Sequence, residues 1–159
     1  MGCTFCFTGT QKIKRNLTPA EIVSQLLVSL LYLNHFPNSM NKFVQSIVFM
    51  GQVRFSFLNY YGFCSKRASA TLHNQGEPFF NYGNVKKAIG IIADGEGLSF
   101  SKKKITVSTS GVVPMIHRFS SDEELHFVQL AVSLHSVNDA VRDQLIPINK
   151  QVFSLSLFP

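Results

Sequence analysis

Two cysteines near the start of the chain stand at a spacing that supports chemistry. Cys3 and Cys6 lie in Gly2-Cys3-Thr4-Phe5-Cys6-Phe7-Thr8-Gly9-Thr10-Gln11, a C-x-x-C pair. Thiolates at this spacing can share a metal, and the same pair is also a redox motif. A complete metal site needs further ligands, and no second C-x-x-C follows. With Cys64 the chain holds 3 cysteines, too few and too odd a number for a secreted disulfide framework. A second set of polar residues falls where apolar runs end: Gly51, then Ser108-Thr109-Ser110-Gly111, then Ser133 and His135. Elsewhere the signals are weaker. Gly95-x-Gly97 is a glycine pair in a loop rather than a nucleotide fingerprint. His117 and His126 lack metal spacing and are expected at the surface.

These residues must be positioned by regular elements, and the chain alternates them. Thr18-Pro19-Ala20-Glu21 is a helix start, with Thr18 as cap, Pro19 at the first helical position and Glu21 closing a capping box. Ile22, Leu26, Leu30 and Leu33 then recur at helical spacing, which predicts a helix to about Leu33. Ser46 to Gly51 has the pattern of a buried parallel strand. Helices are predicted over Asn84–Ile92, Pro114–Leu125 and Asn138–Leu145, and strands over Lys104–Ser108 and Val128–Leu134. Helix and strand in turn argue for a parallel α/β sheet or barrel. Chemistry in such folds gathers at the carboxyl ends of the strands, so the polar residues named above point to one mouth. Gln52 to Gln75 shows no clear periodicity and is long for a connection in such a fold.

Bulk properties set outer bounds. A chain of 159 residues with 45% hydrophobic and 15% charged residues is of globular type, long enough to bury roughly 70% of its unfolded surface. The apolar stretch Ile22 to Leu33 is interrupted by Ser24, Gln25 and Ser29 and falls short of the ~20 residues that span a bilayer. No membrane association and no signal peptide are expected. The net charge of +6 suits a polyanion such as RNA, and equally suits a small basic protein with no such partner. Lys102-Lys103-Lys104, with Lys86 and Lys87, either touch RNA phosphates or form a solvated face.

The residues also carry a resemblance. Gly2-Cys3-Thr4-Phe5-Cys6, Thr8-Gly9-Thr10 and Lys14-Arg15-Asn16-Leu17 resemble the cluster loop of the RlmN/Cfr family of radical S-adenosylmethionine (SAM) RNA methyltransferases. The match continues in family order through Val48-Phe49-Met50-Gly51, Gly76-Glu77-Pro78, Asn81-Tyr82, Ser101-Lys102-Lys103 and Ser108-Thr109-Ser110-Gly111-Val112-Val113-Pro114. It ends with Ala131-Val132-Ser133-Leu134-His135, Asn138-Asp139, Arg142-Asp143 and Pro147-Ile148-Asn149-Lys150.

The resemblance implies an α/β fold, a fragment of a partial (β/α) TIM-like radical SAM barrel over residues 1–150 with a divergent tail at 151–159. It implies a [4Fe–4S] cluster and SAM as cofactors. Cys3 and Cys6 match the second and third cysteines of the family's C-x-x-x-C-x-x-C motif, and the first would fall two residues before Met1. Gly76, Glu77, Ser108, Ser133, Leu134 and His135 match SAM-contacting positions. Without the resemblance, Glu77 is an acidic turn before a helix, Ser108 a strand-end hydroxyl and His135 an exposed histidine. The implied activity is methylation of adenosine C2 in rRNA, with tRNA as a second substrate. No protein partner is implied. The family's methyl-carrying and resolving cysteines match no position here, so the chain as written is expected to be inactive. The alternative is a non-catalytic fragment or gene-model artefact retaining weak RNA binding.

Two departures bear on the gene. In the family, Gly-Glu-Pro follows the Phe-Met-Gly strand after about one residue, so Val53 to Gln75 is an insertion. Gln52-Val53-Arg54 can be encoded by a splice-donor-like sequence and Asn74-Gln75 by an acceptor-like one, which predicts a retained intron at 53–75. Gln151-Val152 repeats the donor pattern, which predicts read-through into the tail. A plant source follows from that reading. Localisation is then cytoplasmic by family default, or chloroplast or mitochondrion if the gene is nuclear.

Overall fold

The computed structural model describes residues 3–4, 15–32, 44–51, 68–74 and 76–151. The first helix begins as its sequence requires. Glu21 N donates to Thr18 Oγ1 at 3.3 Å, and Thr18 N donates back to Glu21 Oε2 at 2.8 Å, a reciprocal capping box. Helix α1 then runs Pro19–Tyr32 and buries Ile22, Val23, Gln25, Leu26 and Leu30 along one stripe. Four described strands follow: β1 (Val44–Gly51), β2 (Ala68–Asn74), β3 (Ile105–Thr109) and β4 (Gln129–Val132). Between and after them lie α2 (Tyr82–Ala93), α3 (Val113–Ser120) and α4 (Asp139–Leu145). The strands form a sheet of order β2-β1-β3-β4, and every neighbouring pair is parallel.

The expected elements are present with shifted ends. The helix predicted to run to Leu125 stops at Ser120, and Glu123–Leu125 forms a separate 3-10 turn capped by Asp122. The break falls at Ser120-Ser121-Asp122, whose side chains bond locally to backbone and compete with helix continuation: both serine hydroxyls donate to His117 O. One expectation is corrected. Residues 68–74, within the stretch that lacks clear periodicity in the sequence, form β2, paired with β1 from Val44↔Ala68 to Gly51↔Asn74. Its alternation of Ala68, Ala70 and Leu72 with Ser69, Thr71 and His73 is a period of two carried mostly by small residues, which makes the signal faint. Residues 52–67 lie outside the described residues.

The core sits on one face of the sheet. Val44, Ile47 and Phe49 of β1 and Ile105 and Val107 of β3 are buried with Ile22, Leu26 and Leu30 of α1 and Val85, Ala88, Ile89 and Ile92 of α2. Because side chains alternate along a strand, Thr106 and Ser108 of β3 point to the opposite face, where they are only half-buried. β4 is exposed along its length, with Leu130 and Val132 more than a third accessible. An ion-pair network braces the outside. Lys86 Nζ donates to both oxygens of Asp122 at 2.9 Å and lies 2.9 Å from Glu124, while Tyr82 OH donates to Asp122 at 2.8 Å. Burial and this bond push the Tyr82 hydroxyl up to about 12. For Asp122, burial acts upward, but the bonds from Lys86 and Tyr82 outweigh it and hold the carboxyl below its usual range. Lys86 is thus committed to internal pairing rather than to a phosphate. No helix among the described residues is long and apolar enough to cross a membrane.

Candidate cofactor-binding mouth

Parallel pairing brings the carboxyl ends of β1, β3 and β4 to one edge, so the residues just beyond each strand share a mouth. At the end of β1, Gly51 meets Gly76: a Cβ on Gly51 would stand 1.2 Å from the Gly76 carbonyl oxygen. Only glycine permits that approach. Gly76 itself has φ 83°, a left-handed conformation that glycine adopts without strain. This pair delivers Glu77 to the mouth.

Glu77 is 2% exposed. It caps the 3-10 turn Pro78–Asn81, with Oε1 accepting from Phe79 N at 3.3 Å. Its other oxygen turns across to β3, where Oε2 accepts from Ser110 N at 2.9 Å and from Ser110 Oγ at 2.8 Å. The carboxylate therefore takes three hydrogen bonds, all from neutral donors, of the roughly four that its lone pairs allow. No described cation pairs with it. A buried carboxylate without a cation is costly, and an ammonium at its remaining acceptor site would offset that cost. The remaining acceptor site fits an ammonium such as the amino group of SAM.

The turn after β3 is shaped by its own side chains. Thr109 is buried, and its Oγ1 accepts from Gly111 N at 3.1 Å; Gly111 has φ 101°. Pro114 then opens α3. Beyond β4, Ser133 N donates to Thr109 O at 2.8 Å and extends the ladder by one bond. Leu134 is half-buried. His135 is exposed at φ 58°, a conformation that costs a non-glycine residue about 1–2 kcal/mol. Gly76, Glu77, Ser108, Ser133, Leu134 and His135 thus all lie at the carboxyl edge. Asn81 and Asn84 donate to Leu17 O at 2.8 and 3.1 Å, tying the chain after the cysteine segment to the turn after Glu77.

Arg142 completes the mouth and is not evident in the sequence as a site residue. It is fully buried on α4. Nε donates to Leu134 O at 3.1 Å, Nη2 to Ser110 O, and Nη1 to the side-chain oxygen of Asn149. Asn149, also fully buried, donates in turn to Asp143 and Asp139. Burial pulls the guanidinium below its usual range, while Asp139, Asp143 and Cys3 act upward. In the sequence it stands in the matching block Arg142-Asp143, in a short predicted helix ahead of Pro147-Ile148-Asn149, with nothing that marks it as a site residue.

Cys3 lies at the same end. Thr4 N donates to Leu145 O at 3.1 Å, which sets the half-buried Cys3 beside the end of α4, in no disulfide. Cys6 lies outside the described residues. Among the described residues no three His, Cys, Asp or Glu side chains gather as a metal site. Cys3, the one cysteine among the described residues, does not by itself make up the ligand set of a [4Fe–4S] cluster. His117 and His126 are exposed, as expected. A cleft of about 330 Å³ lined by Ser120, Ser121, Asp122, Glu123 and His126 lies between α3 and β4, away from the strand ends that form the mouth.

Comparison with known proteins agrees with this architecture. A radical SAM methyltransferase from Sphaerobacter thermophilus, known from its crystal structure, superposes with a TM-score of 0.75 at 33% identity, covering 98% of this chain and 37% of that one. The Dual-specificity RNA methyltransferase RlmN of Parvibaculum lavamentivorans is 44% identical over 153 residues, and that of Bartonella quintana 46% identical over 149 residues. Each alignment takes in 94% of this chain and 32% of the relative. The chain is similar to one stretch of these RlmN proteins. It spans about a third of the length of the curated RlmN relatives it matches. No family model matches it. Its fold is that of a partial (β/α) radical SAM barrel, as the RlmN resemblance implied.

Proposed function

We propose that this chain carries the SAM-binding segment of a radical SAM RNA methyltransferase that modifies C2 of adenosine in rRNA, with tRNA as a second substrate. The observation that supports it most is Glu77: a buried carboxylate at the strand mouth, held by neutral donors and paired with no cation among the described residues. In this reading Glu77 accepts from the SAM ammonium, and Gly76 allows the backbone to approach. Ser108 and Ser133 offer polar groups at two neighbouring strand ends, and Leu134 and His135 border the bound ligand. SAM supplies the methyl group. Cys3 and Cys6 would hold iron, and a [4Fe–4S] cluster is the proposed occupant.

Equilibrium dialysis of labelled SAM against the chain, after anaerobic treatment with iron and sulfide, tests the reading. Saturable binding that weakens at least about tenfold in Glu77→Gln is expected, a loss of about 1.4 kcal/mol. Binding that Glu77→Gln leaves unchanged contradicts the role of Glu77. Loss of the iron–sulfur absorbance in Cys3→Ala is the parallel expectation for the thiols.

We also propose that 53–75 is an insertion from a retained intron. The close approach of Gly51 to Gly76 supports this, because the ends of the segment already meet. Transcripts that uniformly carry the segment through intact flanking exons would contradict it.

A further inference from the structure

We propose that Arg142 is a positioning residue for the ligand mouth, clamping the ends of β3 and β4 together and, through Ser110, fixing the Glu77 carboxylate. The inference rests on the SAM reading above and deepens it. A fully buried guanidinium is expensive to desolvate and persists only where its donors are satisfied. An arginine serving only to dock α4 could meet that requirement anywhere on the sheet. Arg142 instead meets it at the mouth. Its Nε reaches Leu134 O, two residues beyond β4, and Nη2 reaches Ser110 O, one residue beyond β3. These two groups form one edge of the planar guanidinium fork, so a single rigid side chain sets the spacing between two strand ends.

Both carbonyls belong to residues of the proposed site. Ser110 supplies the backbone N and the hydroxyl that orient Glu77 Oε2. Leu134 lies between Ser133 and His135, and its carbonyl also accepts from Ser136 N at 2.7 Å. The other edge of the fork is anchored through Asn149, whose amide bonds to Asp143 and Asp139. The sequence Glu77, Ser110, Arg142, Leu134 is thus one continuous set of hydrogen bonds linking three parts of the mouth. Lysine retains the charge but presents a single point donor and cannot span two carbonyls in fixed geometry.

The test compares wild type, Arg142→Lys and Arg142→Gln in the full chain, with SAM as the probe. Three readouts are needed: SAM dissociation constant, thermal midpoint, and hydrogen exchange at the Ser110 amide with Ile47 and Ile89 as core references. The expected result is SAM binding weakened about tenfold or more and faster exchange at Ser110, with the core amides unchanged. Wild-type affinity in Arg142→Lys overturns the proposal. So does a loss of the cooperative transition in both variants, which would make Arg142 a general structural residue. Absence of SAM binding by wild type contradicts the proposed function. The Ser110 amide then decides the clamp alone, and unchanged protection in Arg142→Lys overturns it.

Discussion

Glu77 and Gly51 show how two side chains, one of them a hydrogen atom, fix the chemistry available at the mouth. Glu77 is both the acidic cap its turn calls for and a carboxylate aimed across the sheet at Ser110. The first role is legible in Gly76-Glu77-Pro78. The second is not, because it depends on a residue 33 positions away that only the parallel pairing of strands brings near. Gly51→Ala is the sharpest test at this scale. The added Cβ would fall on the Gly76 carbonyl, a backbone atom that cannot swing aside. We expect a loss of about 3 kcal/mol, the upper end for overpacking, seen as a fall in thermal midpoint of about 10 °C. A midpoint within a degree of wild type would show that the two strand ends do not meet. Arg142 was illegible for the same reason as Ser110: its partners lie 8 and 32 positions away.

At the scale of elements, local chemistry sets the starts and stops. Thr18→Ala removes the cap of α1 and should cost about 1 kcal/mol, measurable by denaturant titration; an unchanged midpoint would mean that packing alone holds the helix start. Glu21 carries a pH dependence. The hydrogen bond from Arg15, followed by those from Thr18, lowers its carboxyl from 4.5 to about 2. A group whose value is depressed on folding contributes stability above its unfolded value and loses it as pH falls through the folded one. The advantage of wild type over Glu21→Gln should therefore be full above about pH 5 and fade toward pH 2. A difference independent of pH would contradict the pairing. The helices and three of the strands were readable from periodicity and caps. β2 was harder to see because small residues carry its alternation and, although Gly76 and Pro78 follow it, no glycine or proline marks its start.

For the whole molecule, the sheet has a helix-covered face and a face on which Ser108 stands half-exposed, with β4 uncovered at its edge. β2 pairs the outer side of β1 that would otherwise be open. Deletion of 53–75 removes that strand yet leaves Gly51 and Gly76 in contact, so the shortened chain should keep SAM affinity within about threefold of the full one. A loss beyond that, in a folded variant, would make the segment part of the mouth rather than an insertion. Order and type of every element but β2 followed from the sequence, as did a shared mouth at the strand ends; the bonds that join Glu77, Ser110 and Arg142 across that mouth did not, because they link positions far apart in the chain. The measurement that bears most directly on the account is SAM binding by the anaerobically reconstituted chain beside its Glu77→Gln variant. Saturable binding at one site, weakened at least about tenfold by the substitution, is expected. No saturable binding, or equal binding by both proteins, would contradict it.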